Sequence, residues 1–283
     1  MSKGFSHLVA SSVAAAAFSF VCLPAVHADT TAVVTPTSLQ GWHSIDVTGG
    51  GSVVITGDAP RSGNGSLEFN SPGSNGKATY QLGGNAFTNN FGTLSNLTTL
   101  GYDFNRSGSS TAADFQMPSL RLLIRDGFQT GVLIYEPVYN GRPTTTNTWM
   151  SSGNIVSNDG NFWLRANSAN FYGSPNGQTL TTWRSGATVV SDTGTRTSPS
   201  FSASTIIYGF ELGIGSGWAG TYEGFADNFR VGFGTGSVTT YNFETAASAA
   251  PVPEPGSVAV TATMLCGVAG LVLKSRRRKS TQA

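Results

Sequence analysis

The chain predicts an all-β fold, a single two-sheet sandwich held between two apolar ends. Short runs in which apolar and polar residues alternate recur along the middle of the chain. Gly, Ser, Thr and Asn dominate the breaks between them. No stretch there keeps a 3.6-residue apolar period long enough for a helix.

The clearest run places Leu120, Leu122 and Ile124 on one face of a strand and Arg121 and Arg125 on the other. A later one sets Ile206, Tyr208, Phe210, Leu212 and Ile214 against Ile207, Gly209, Glu211 and Gly213. Further strands are predicted at 52–56, 66–69, 79–82, 99–104, 131–139 and 221–233. Strands of this length with turn residues between them read as two packed sheets. No repeat of fixed period is visible, which argues against a propeller or solenoid.

The two ends carry a different message. Lys3 opens a short basic region, 8–23 is an apolar run too short for a stable span, and Val26-His27-Ala28 follows. Small residues at that spacing predict a signal peptide over 1–28, cleaved after Ala28 to leave Asp29 first. Cys22 follows Val21, not a small residue, so lipidation is not expected. At the far end, 257–273 is seventeen residues without a charge, about 25 Å as a helix and near the lower limit for a bilayer. Lys274, Arg276, Arg277, Arg278 and Lys279 follow at once and predict a cytoplasmic tail over 274–283, leaving the 29–245 domain outside. Residues 246–256 are small and Pro-rich and read as a linker.

Pro253-Glu254-Pro255 stands just before the apolar helix and its Arg-rich end. The three parts, in that order, resemble the PEP-CTERM sorting signal of Gram-negative bacteria. The resemblance implies that Pro253, Glu254 and Pro255, with Arg276, Arg277 and Arg278, are recognition residues. It also implies an exosortase-type membrane enzyme as partner besides signal peptidase. The destination would be the cell surface or extracellular matrix, reached from a membrane-anchored precursor.

Composition excludes several classes. Both cysteines, Cys22 and Cys266, lie in the apolar ends, so disulfide and thiol chemistry are absent from the outer domain. Residues 29–250 carry ten basic and fourteen acidic side chains, a mildly acidic balance that argues against nucleic acid. Gly215-Ser216-Gly217-Trp218-Ala219-Gly220 matches a dinucleotide-binding pattern, but no helix follows it to face a phosphate, so it is read as a hairpin turn. His43 is the one histidine left after signal removal, and neither a Ser-His-Asp triad nor a zinc site can be assembled around it by motif.

The outer segment also resembles the jelly-roll sandwiches used as carbohydrate-binding modules. Gly41-Trp42, the run Arg61-Ser62-Gly63-Asn64-Gly65-Ser66-Leu67-Glu68-Phe69, and Phe225-Ala226-Asp227-Asn228-Phe229-Arg230-Val231 carry the likeness. It implies a structural calcium held by Glu68 and Asp227. Independently, a regular strand would put Asp227 on one face with Phe225, Phe229, Val231 and Phe233. A carboxylate there needs a cation, an Arg or several donors, unless a bulge returns it to solvent.

Aromatics are the clearest sign of a ligand. Five tryptophans offer flat faces for stacking on sugar rings, and three of them are expected in the core. Trp149, Trp183 and Trp218 flank loops and are expected to be the more exposed; Trp183 and Trp218 are the candidate contacts, with Trp218 alternatively closing the sandwich end. The absence of a charge cluster suits a neutral polysaccharide. The sequence thus predicts an exported glycan-binding or structural module without catalytic residues. Two alternatives stand beside it. One is a secreted glycan hydrolase whose carboxylates, Glu136 and Asp126 among them, meet only in space. The other is an adhesin that engages proteins.

Overall fold

The computed structural model describes residues 28–142, 145–173 and 177–246. The apolar run 8–23, the Pro253-Glu254-Pro255 motif, the apolar segment 257–273 and the basic tail with Arg276, Arg277 and Arg278 lie outside the described residues. No helix among the described residues is long and apolar enough to cross a membrane.

The first half of the domain runs through β1 (Thr30–Val34), β2 (Trp42–Thr48), β3 (Ser52–Thr56), β4 (Ser66–Ser71), β5 (Lys77–Gly83), β6 (Gly92–Thr93), β7 (Leu97–Arg106) and β8 (Ser119–Asp126). The second half holds β9 (Gln129–Tyr135), β10 (Met150–Ser151), β11 (Asn161–Ala166), β12 (Ala169–Phe171), β13 (Gln178–Thr179), α1 (Leu180–Arg184), β14 (Ile206–Ile214), β15 (Tyr222–Phe233) and β16 (Thr239–Phe243). They form two sheets. The nine-stranded sheet runs β12-β11-β9-β8-β14-β5-β2, with β13 beside β11 and β6 beside β14. The seven-stranded sheet runs β1-β16-β15-β4-β3, with β7 on β15 and β10 on β7.

Alternation of side chains across each strand builds the core between the sheets. In the larger sheet one continuous row, Trp42, Leu82, Phe210, Leu122, Leu133, Leu164 and Phe171, crosses seven strands through direct neighbours. Every member of that row is buried. Opposite it lie Leu67, Phe69, Leu100, Tyr102, Phe104, Ala226 and Phe229, also buried. Trp42 ties the two layers: it stacks on Tyr80 at 5.7 Å and meets the edges of Phe229 and Phe243 at 5.4 and 5.3 Å.

The predicted all-β, two-sheet class is what the domain shows, and 52–56 and 206–214 coincide with β3 and β14. Two details differ. A bulge between Ile207 and Gly209 shifts the register of β14, so Ile207 joins Phe210, Leu212 and Ile214 in the core while Ile206 is only half-buried. The Gly215–Gly220 segment is not a hairpin turn, because β14 and β15 lie in different sheets; it crosses from one to the other.

Candidate functional site

The outer face of the nine-stranded sheet is read from the same register. One residue along from the core row, the neighbours His43, Gln81, Glu211, Arg121, Ile134 and Trp163 form a row across six strands. Its middle is polar and its β11 end is aromatic. The Glu211, Arg121, Ile134 and Trp163 part of this row floors a cleft of about 750 Å³.

Arg121 organises the floor. Its Nε donates to Ser119 Oγ at 3.0 Å and its Nη1 to Thr79 Oγ1 at 3.2 Å, which aims the guanidinium at Glu211, 3.3 Å away. The aromatic wall is Trp163 with Tyr172, ring centroids 4.9 Å apart and tilted by 32°. Trp163 Nε1 donates to Glu136 Oε2 at 3.2 Å. Burial raises the Glu136 carboxyl above its ordinary range, only partly offset by that bond and by Arg121. At the far side Asp46 pairs with Lys77 at 2.7 Å, and that bond holds its carboxyl below the usual range.

Trp218 lines the cleft, half-buried, with its ring set against Tyr222 at 4.8 Å. Trp183 does not reach it. The expectation of an exposed Trp183 is corrected: it sits on α1, fully buried, its Nε1 bonded to the Phe162 carbonyl at 3.0 Å. A Trp so placed cannot stack on a ligand. Of the five tryptophans only Trp42 and Trp183 are in the core, not three; Trp149, half-buried, carries the Arg61 guanidinium 6.0 Å above its ring. Trp163 is the cleft residue that loop-flanking position did not single out, although Phe162, Leu164 and Ala166 alternate with it and point it outward.

The remaining candidates fall elsewhere. His43 is exposed, with Gln81 as its hydrogen-bond neighbour at 3.4 Å. Asp126 accepts from Ser202 and Thr205 and pins a loop. Asp29, at the predicted cleavage point after Ala28, accepts from the Val238 amide at 3.0 Å.

Glu68 and Asp227 lie on neighbouring strands of the seven-stranded sheet, Glu68 directly across from Phe225, two residues before Asp227. Asn228 adopts a φ of 49° and the pairing of β15 with β7 shifts between Asp227 and Arg230. The strand is therefore not regular, and Phe225 and Asp227 part from the face of Phe229 and Val231. The bulge does not return Asp227 to solvent: it is completely buried. Its Oδ1 accepts from the amides of Asn228 and Phe243 at 2.7 and 2.9 Å, while Oδ2 has no partner. Burial raises the Asp227 carboxyl to about 7, helped by Glu244 and Asp103 against those two amides. The Glu68 carboxylate accepts from Asn70 beside it. Burial pushes Asp103 up, but Asn228, Arg230, Ser151 and Arg61 outweigh it and hold its carboxyl below the ordinary range. Among the described residues, no group of three or more His, Cys, Asp or Glu side chains is arranged to hold a metal.

A two-sheet sandwich with an aromatic-walled, polar-floored cleft on one outer face is the class this domain defines. No family model matches the chain, and no curated protein matches it. Among solved structures it is similar to a family 11 carbohydrate-binding module from Clostridium thermocellum in complex with a β-1,3-1,4-mixed-linked tetrasaccharide. That likeness has 13% identity and a TM-score of 0.38, covering 70% of this chain and 92% of that one. A second is the family 11 module of the cellulosomal cellulase Lic26A-Cel5E of the same organism, at 14% identity and TM-score 0.36 over 68% and 86% of the two chains. Neither likeness is close enough to carry an argument, and the case for function rests on the cleft.

Proposed function

We propose that the domain binds a neutral glycan in this cleft and belongs to an exported protein of the bacterial surface or matrix. The carrying observation is the Trp163–Tyr172 wall beside the Glu211–Arg121 floor. A flat apolar face next to a row of planar polar groups matches a sugar ring, which shows carbon–hydrogen faces and hydroxyl edges. Glu211 and Asp46 are each paired with a cation, so the floor offers hydrogen bonds without a strong field. That favours a neutral ligand over an acidic one. A jelly-roll topology is supported by Gly41-Trp42 and the 61–69 and 225–231 runs, and export and sorting by Pro253-Glu254-Pro255 ahead of the apolar 257–273 segment and Arg276, Arg277 and Arg278.

One observation favours a second reading. Glu136, raised by burial, shares the cleft with the Arg121-paired Glu211, and glycoside hydrolysis uses two carboxylates in unlike environments. A glycan array probed with the full chain, followed by assay of reducing ends on whatever binds, separates the readings. Binding that Trp163→Ala abolishes, with no new reducing ends, is the expected result. Release of sugar that Glu136→Gln stops would make it a hydrolase; no glycan bound at all would leave the protein-binding adhesin.

A further inference from the structure

One end of the sandwich holds two phenylalanine rings out in solvent. Phe128 is 94% exposed and Phe87 71%, the two most exposed large apolar side chains among the described residues. Phe128 is the second corner of a two-residue turn between Asp126 and Gln129, with Gly127 at φ 57° as the first. Phe87 stands on a turn made by Asn85, whose Oδ1 accepts from the Phe87 and Thr88 amides at 3.1 and 3.3 Å. Arg125 joins the two tips: its guanidinium lies 5.9 Å from the centre of the Phe87 ring, and its Nη1 donates to the Gly127 carbonyl at 3.1 Å. Rings held out by hydrogen-bonded turns form a contact surface, not a stray exposure.

The chain enters the domain at this same end. Asp126 accepts from Ser202 and Thr205, and the Ser95 amide donates to the Ala203 carbonyl. The Gly234 amide donates to the Asn96 carbonyl, and the turn that Gly234 opens brings Val238 onto Asp29 and Thr30. Only residues 24–28 separate Asp29 from the apolar run 8–23, a reach of roughly 17 Å at full extension. While that run is in a bilayer, this end of the domain stays close to lipid. After cleavage the 246–256 linker, roughly 34 Å long as an extended Pro-rich chain, ties the domain to the apolar segment 257–273. The charge at this end suits the same neighbour. Asp126 is turned onto the Ser202 and Thr205 hydroxyls, which leaves the Arg125 cation beside the rings.

We propose that the Phe87–Arg125–Phe128 end docks on a lipid surface, with the two rings in the interfacial layer and Arg125 against lipid phosphate. Aromatic side chains gain by leaving water at the headgroup boundary, and a cation beside them is drawn to anionic headgroups. The inference rests on the membrane-anchored precursor of the proposed export route. Docking also fixes an orientation. Phe115, ahead of β8, and Gly215 and Trp218, after β14, line the cleft from the opposite end of the sandwich. That end of the cleft is then turned away from the bilayer, toward the material outside the cell.

The test uses the full chain in vesicles of phosphatidylethanolamine and phosphatidylglycerol, with Cys22→Ser and Cys266→Ser removing both native thiols. A fluorophore is attached through Gln129→Cys, beside Phe128, or through Ser74→Cys, exposed in the turn between β4 and β5 at the opposite end. Spin-labelled lipid should quench the first and spare the second. Phe87→Asp combined with Phe128→Asp should lose that quenching while the melt stays unchanged. In a separate sample that keeps Cys266, a fluorophore there reports the anchor alone. Quenching at Cys266 with none at position 129 would overturn the docking and leave the anchor standing. No quenching at Cys266 would overturn the anchor on which the docking rests. Equal quenching at positions 129 and 74, or quenching that survives the double replacement, would also overturn the docking.

Discussion

Trp218 and Trp183 are equal candidates by sequence, and truncating each separates a binding residue from a core one. Trp183 is completely buried and bonded to the Phe162 carbonyl. Its replacement by Ala should cost about 3–5 kcal/mol, and for a domain of this size roughly 2–4 °C per kcal/mol, so about 6–20 °C. Trp218 is half-buried, and its main partner is the Tyr222 ring at 4.8 Å. An aromatic pair of that kind adds about 0.5–1.5 kcal/mol, and with partial burial the whole loss on Trp218→Ala should be about 1–2 kcal/mol, or roughly 2–8 °C. Thermal melts followed by circular dichroism give both numbers, and affinity electrophoresis in a glycan found by the array gives retention. Trp218→Ala should lose retention while melting well above Trp183→Ala. Retention in the wild type should survive 1 M salt, where the screening length falls to about 3 Å, because ring stacking has no ion-pair component. Equal melting losses in the two variants would make Trp218 a core residue and refute the contact.

Asp227 should make stability depend on pH. Its folded carboxyl is raised to about 7 from 3.8, so the folded state holds the proton more tightly. The contribution is complete below about 4 and is lost as pH rises to 7, at about 1.4 kcal/mol for each pH unit crossed. Melts of the wild type should therefore fall across that window while Asp227→Asn stays flat there and melts higher at pH 7.5; parallel curves would remove Asp227 as the cause. For sorting, mass spectrometry of surface material should find residues 257–283 gone from the wild type, and still attached when Arg276, Arg277 and Arg278 are replaced by Ala. A wild-type surface protein that keeps them would end that reading.

The strands legible in the sequence are those whose alternation is unbroken, such as β8, where Leu120, Leu122 and Ile124 are buried as the pattern requires. Legibility fails where one residue breaks the period. The bulges at Tyr208 and at Asp227–Asn228 each turn the strand over, and nothing local in the apolar pattern marks them. Trp183 escapes the pattern for another reason. Its five-residue helix is capped by Thr179, whose Oγ1 takes the Thr182 amide, and it buries Leu180 and Trp183 three residues apart. A single turn is too short for a periodic signal, so its buried face looks like a loop flank. The cleft is half-visible: alternation along 161–166 turns Trp163 outward, but its meeting with Tyr172, Arg121 and Glu211 depends on a strand order that sequence does not spell out.

The first and last strands of the domain lie side by side, β1 parallel to β16 from Thr30↔Thr239 to Val34↔Phe243. Some two hundred residues separate the partners in each pair, so this contact is the most non-local in the sheet. Any chain delivered N-terminus first, from a ribosome or through a membrane pore, must therefore hold β1 in waiting until its final strand has emerged. The domain has a natural point of commitment at its very end. Until β16 docks, β1 has no strand to pair with and the β15 side of the seven-stranded sheet stays open; once it docks, the two ends of the domain lock each other in.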